Sequence, residues 1–317
     1  MQGTVDGFSY GVVTPVAAYL MACLGGALGL RCIVRTLFNN KQSWKPGWLG
    51  LGAVSIGCGI WTMHFIAMIG FQVEETRLSY DVGLTVLSLL VAIVVVGIGV
   101  FIVGYGGASG GTLSIAGIVT GLGVAAMHYL GMAAIKMDGS IHYALGTVAL
   151  SIVIAVVAAT AALWAAVSIH GFLTSLGASL VMGVAVSGMH YTGMAAVSVH
   201  LHDTTGGARG GDSPLSLLLP MLLGPVIFLV LAGAIVMFDP LLVTGDGDEG
   251  RAASQRRAAS ADGSDGEASA GRGGSLFEGF EGVEGRQGVR GSEGPPGSAG
   301  RPRGQYEYEA SKSAYEW

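Results

Sequence analysis

Three stretches of this chain repeat one arrangement of donor atoms. They are Met63-His64-Phe65-Ile66-Ala67-Met68, Met127-His128-Tyr129-Leu130-Gly131-Met132 and Met189-His190-Tyr191-Thr192-Gly193-Met194. Thioether sulfur is a soft ligand that favours Cu(I), and imidazole suits copper, zinc, iron and nickel. A mixed His/Met set therefore points to copper and away from magnesium or calcium, which want oxygen ligands. At about 100° per residue, a histidine and the methionine four residues on lie about 40° apart and one turn along. The expected ligand pairs are His64 with Met68, His128 with Met132 and His190 with Met194. Met63, Met127 and Met189 lie about 100° round from their histidines, placed to reach a neighbouring helix or close the site from the side. The small residue before each second methionine (Ala67, Gly131, Gly193) opens space at the metal or admits another backbone. The aromatic after each histidine can shield the site or donate a hydrogen bond from outside the ligand shell, although Phe65 has nothing to donate.

The elements that carry these motifs are apolar runs. Seven are long enough to cross a bilayer as helices: Tyr10–Leu30, Trp48–Gly70, Val82–Val103, Leu113–Ile135, Leu145–Val167, Leu173–Val197 and Leu215–Phe238. The predicted fold is an all-α integral membrane domain over residues 1–240, built from three two-helix repeats plus one helix. Residues 241–317 are rich in Gly, Ser, Arg and Glu and poor in aliphatic clusters, so a disordered cytoplasmic tail is expected there. The N-terminus lacks the basic segment of a cleavable leader, so the first span is expected to stay in the membrane.

The three histidines are the only charged or imidazole-bearing residues inside these spans. Ionisable groups are costly to keep in lipid and mark function. A lone histidine on an apolar helix is more often a packing residue; three at one depth are harder to explain that way. The repeat supports this, with spacings of 64 and 62 residues between successive histidines. Gly57, Gly121 and Gly183 lie seven residues before their histidines, and Gly59, Gly123 and Ala185 five before. Such small residues let helices approach closely in lipid and can bring the three histidines together.

The first loop carries Arg31, Arg35, Lys41 and Lys45. The positive-inside rule puts it in the cytoplasm, with the N-terminus outside and the motifs near the outer ends of spans two, four and six. The net charge of −5 comes mostly from the residues after Thr244, 13 acidic and 9 basic. The membrane part is near neutral, and no basic surface for nucleic acid is present. Cys23, Cys32 and Cys58 form no CxxC pair, so no disulfide framework or structural zinc site is expected, and Cys58 reads as a packing residue. His142, His200 and His202 fall in expected outer loops. His200-x-His202 followed by Asp203 is a weaker divalent-metal candidate, and His170 lies on the other side without an evident partner. The spans hold no paired carboxylates, phosphate loop or Ser/His/Asp set, so the chain reads as non-enzymatic.

The three repeats, the seven-span layout and the literal Met189-His190-Tyr191-Thr192 resemble the bacterial MHYT-domain membrane proteins, over about Phe8 to Phe238. The resemblance implies a multi-pass sensor in the bacterial plasma membrane. It implies copper held by the Met and His residues near the outer surface, and through it the sensing of oxygen, carbon monoxide or nitric oxide. Relatives often carry a cytoplasmic output domain, so a separate output protein is the partner expected here. Copper handling or transport, and haem held by paired histidines in electron transfer, are the competing readings.

Overall fold

The computed structural model describes residues 3–38, 45–76, 78–168, 171–201 and 214–238, all within one compact unit, Met1–Ser260. The tail, His170, His202 and Asp203 lie outside the described residues. All seven expected spans are helices: α1 (Val13–Phe38), α2 (Lys45–Ile69), α3 (Val82–Gly106), α4 (Gly110–Ala133), α5 (Leu145–Ser168), α6 (Phe172–Met194) and α7 (Pro214–Met237). Each is long and apolar enough to cross a membrane, so this is a multi-pass membrane protein. The first helix outruns its expected end at Leu30, because it continues through the basic residues Arg31 and Arg35. Both of these lie against aromatic rings, Arg31 over Phe172 and Arg35 over Trp48.

The segments beyond the helix ends are not plain loops. Six short strands form three antiparallel pairs: β1 (Val5–Asp6) with β2 (Gln72–Val73), β3 (Ser79–Tyr80) with β4 (Ile135–Lys136), and β5 (Gly139–Tyr143) with β6 (Val197–Leu201). Ile135 and Val197 thus end up in strands, not in the spans expected to contain them. The order reveals the repeat: strand, odd helix, even helix, strand, three times over, with α7 added at the end. The Gly3 amide also donates to the Val199 carbonyl at 2.9 Å, tying the first segment to the third sheet. Between β3 and α3, Asp81 caps the helix by accepting from the Leu84 amide at 3.0 Å and pairs with Lys136 at 2.7 Å. The Lys136 ammonium, with that amide, holds the Asp81 carboxyl below its usual range. A depressed carboxylate pKa stabilises at pH above the unfolded value and is lost as pH falls through the folded one.

Six helices close a ring, in which α1 packs against both α2 and α6 while α7 lies outside against α2 and α1. The glycines set the approach. An added Cβ at Gly57 would lie 2.9 Å from the Ile93 backbone of α3, and one at Gly121 would strike the Val156 backbone of α5. One at Gly183 would lie 2.5 Å from Cys23 of α1. Each even helix therefore presses its first glycine on the next odd helix, and α1 follows α6 in that cycle. The second glycine presses the other way: a Cβ at Gly59 would lie 2.7 Å from Gly25 of α1, and one at Gly123 would strike Val95 of α3. The most enclosed helix is α2, 83% buried over its span window against 22% for the lipid-facing α5.

This packing predicts that Gly121→Val lowers stability by about 1–3 kcal/mol, the usual range for overpacking. Gly188, with nothing within 4 Å of an added Cβ, should tolerate Ala without loss. Thermal unfolding of both variants in detergent checks the contrast.

Candidate metal centre

Each motif sits in the last turns of an even helix, and the ring brings the three histidines to one point. His64 Nδ1 lies 3.1 Å from His190 Nδ1 and 3.2 Å from His128 Nδ1, and the His128–His190 edge is 3.3 Å. The rings stand nearly edge-on to one another, with interplanar angles of 81°, 77° and 90°. All three side chains are 1% exposed, so bulk water does not reach them.

Hydrogen bonding alone cannot satisfy this triangle. An imidazole nitrogen is either an N–H donor or a lone-pair acceptor in its ring plane, not both. Donor and acceptor cannot alternate around three corners, so at least one edge sets like against like. A cation that accepts three lone pairs removes the conflict. The size also fits. A triangle with edges near 3.2 Å has its centre about 1.85 Å from each corner (3.2/√3), close to the roughly 2.0–2.1 Å of a metal–imidazole bond. Among the described residues these are the one group of three or more His, Cys, Asp or Glu side chains placed to hold a metal ion.

With Nδ1 turned to the centre, Nε2 faces outward, and it would carry the proton in the tautomer whose three Nδ1 lone pairs meet a cation. His64 Nε2 and His128 Nε2 are buried and find no hydrogen-bond partner. They press on the next even helix instead. A Cβ at Gly131 would collide with His64 Nε2, and one at Gly193 would lie 2.5 Å from His128 Nε2. These two small residues admit the imidazole of the preceding repeat, not only space at their own. The corresponding position of the first motif is Ala67.

The aromatic neighbours act as wedges. Each stands edge-on to its histidine, with centroids 4.7, 4.9 and 5.0 Å apart for Phe65, Tyr129 and Tyr191. Tyr129 sends its hydroxyl to Ser151 of α5 at 2.6 Å, so it anchors the helix pair. Tyr191 stacks under Phe8 of the N-terminal segment at 5.7 Å. Of the methionines, Met63, Met68, Met127, Met132 and Met189 are at most 1% exposed, and Met194 is partly buried against the core.

Sequence reasoning missed a cavity of about 50 Å³ that begins one turn from the triad, toward the other end of the bundle. Ile60, Val124 and Val186, four residues before the three histidines, line it, with Met189 and the alanine face of α5. The stripe Ala155, Ala159, Ala162, Ala166 was its signal in the sequence.

A family profile described as the MHYT bacterial signalling protein N-terminal repeat matches residues 57–116, 121–178 and 183–241. The bifunctional diguanylate cyclase/cyclic di-GMP phosphodiesterase MucR of Pseudomonas aeruginosa is 41% identical over 212 residues, 65% of this chain and 30% of that protein. The cyclic di-GMP phosphodiesterase NbdA of the same organism is 35% identical over 62% of this chain and 26% of its own length. The signalling protein YkoW of Bacillus subtilis is 29% identical over 61% of this chain and 24% of its own. The chain thus spans less than a third of the length of these curated relatives. No solved structure matches.

Gly131→Ala should push the His64 ring out of the triangle, and Gly193→Ala should do the same to His128. Each is expected to lower stability by about 1–3 kcal/mol and to shift the imidazole nitrogen signals of its own histidine in histidine-selective NMR. Unchanged spectra in both variants would contradict the packing described.

Proposed function

The chain belongs to the family of bacterial signalling proteins built on the MHYT repeat, and from that premise we propose that its membrane domain is a non-catalytic sensor holding copper at His64, His128 and His190. The single observation that carries this reading is the buried triangle of Nδ1 atoms 3.1–3.3 Å apart. Three imidazole nitrogens at the corners of a near-equilateral triangle suit a trigonal copper ion. The thioethers of Met68, Met132 and Met194, or of Met63, Met127 and Met189, supply soft donors beside it and favour the Cu(I) state. Copper, when bound, supplies affinity for oxygen, carbon monoxide or nitric oxide at an open coordination position. The protein positions the imidazoles, keeps water away and leaves room for a small apolar guest. The cavity of about 50 Å³ supports that last role. It exceeds the 10–15 Å³ or so that one water needs, and hydrocarbon-lined cavities stay dry.

The competing readings have less support. Two axial histidines on a haem iron would stand about 4 Å apart on opposite faces of a porphyrin, at roughly 2.0 Å per bond. Here the nitrogens are closer than that, and the outward ring edges are packed on Gly131 and Gly193. A copper path across the membrane would need a succession of ligands. The cavity wall offers only the Thr120 hydroxyl and the thioethers of Met182 and Met189.

The orientation that fits places the triad end outside. Arg31, Arg35 and Lys45 cluster at the opposite end on the rings of Phe172, Trp48 and Tyr105, and basic residues favour the cytoplasm. The signal then passes to a cytoplasmic output protein, as the enzymatic names of the relatives suggest, by a shift of the even helices between two populated states.

The full chain purified in detergent should contain about one copper, the stoichiometry expected of a single three-imidazole site, by elemental mass spectrometry. His128→Ala and His190→Ala should abolish it, and carbon monoxide or nitric oxide should change the spectrum of the wild type. An intense Soret band would sink the copper reading in favour of haem; copper without any gas response would favour copper handling. Met132→Leu separates the ligand sets: weakened copper retention assigns the thioether to the site, and unchanged retention leaves the imidazoles alone.

A further inference from the structure

The triad uses three of the seven histidines, and two more meet at the same end of the bundle. The β5–β6 ladder runs over five rungs, from Gly139 opposite Leu201 to Tyr143 opposite Val197. His142 stands opposite Ser198, and His200 stands opposite Ser140. Side chains two apart on a strand share a face, so His142 and His200 are diagonal neighbours on one face of the sheet. Their rings lie 4.8 Å apart between centroids at 78°. Within the triad the corresponding values are 4.9–5.1 Å and 77–90°. Both side chains are exposed. The Ser140 hydroxyl lies 3.2 Å from His142 Nε2. That contact occupies one nitrogen of the ring and leaves Nδ1 free to bind.

We propose that His142 and His200 form a second, solvent-open site for a divalent transition metal, with Cu(II) the ion it binds most tightly. Two imidazoles with water in the remaining positions make a borderline nitrogen and oxygen set. Such a set follows the Irving–Williams order, which peaks at Cu(II). The strand ladder fixes the two backbones and the Ser140 contact steadies the His142 ring, so less freedom is lost when an ion bridges the pair than between two unlinked loops. The site differs from the triad in chemistry as well as in place. It is hydrated and exchangeable where the triad is buried and dry, and its existence does not depend on copper being the triad's metal. The sequence-based candidate coupled His200 to His202 and Asp203 in an outer loop; those two residues lie outside the described ones, and the partner the sheet brings to His200 is His142.

Cu(II) titration of the full chain in detergent, followed by electron paramagnetic resonance, tests the site. The wild type should take up one Cu(II) that a competing chelator removes readily, with an axial spectrum carrying nitrogen couplings from two imidazoles. His142→Gln and His200→Gln should each weaken that binding by about tenfold or more, since either change removes one arm of a chelate. The double variant should be little worse than either single one, because the two rings act as a unit. Retention of the tightly held metal at the triad should be unaffected in all three. Binding unchanged in both single variants, or no readily exchanged Cu(II) in the wild type, would overturn the proposal and leave an exposed histidine pair only.

Discussion

Three imidazole nitrogens facing one another inside a membrane domain are the constraint on which the rest of this structure depends. No arrangement of protons satisfies all three edges of that triangle. The fold nevertheless closes the rings against one another and excludes water from them. The ring of six helices, the glycine contacts between successive units and the three small sheets all serve to hold three even helices at one depth. A cation held among the three nitrogens would remove that conflict and tie the state of the helices to the state of the ion. That link makes a buried triad suited to sensing. An exposed metal site could fill and empty without the bundle registering it.

The three-fold relation extends beyond the histidines. Each unit runs strand, odd helix, even helix, strand, and each even helix packs a glycine on the odd helix of the next unit. The third unit must therefore find an odd helix beyond α6, and it takes α1 from the start of the chain. The sequence continues instead into α7, which packs outside on α2 and α1. The cycle is imperfect where the residues differ. Gly131 and Gly193 receive an imidazole edge, whereas position 67 carries a methyl group. Met194 alone among the six motif methionines is partly open. The third repeat is therefore the one least sealed against its surroundings, and the exposed histidine pair lies on the sheet that extends from it.

Much of this was legible from residue types and spacing. Apolar runs of the right length mark the helices because lipid leaves the backbone no other partner. The repeated motif marked the site because imidazole in lipid is costly, and the repeated glycines marked the close approaches. Other features were not legible. The strands are two to five residues long and their partners lie far away in sequence, so local alternation such as Val197-Ser198-Val199-His200 gave little to read. Ring closure by α1 depends on packing between units that no local pattern encodes. The three histidines could be expected to approach, but helix geometry suggested His–Met pairs on single helices, while the structure sets His against His across three helices. The inward turn of Nδ1 is a rotamer choice that spacing does not carry. The cavity escaped notice because alanine in a membrane helix reads first as packing.

Copper K-edge X-ray absorption on the purified full chain, loaded with copper and then cleared of readily exchanged ions by a competing chelator, tests the central claim most directly. A copper ion held by the triad gives three nitrogen scatterers at about 2.0 Å, with the outer-shell pattern of rigid imidazole rings, and thioether sulfur as at most an additional shell. A first shell dominated by sulfur, or one with fewer than two imidazoles, would contradict it.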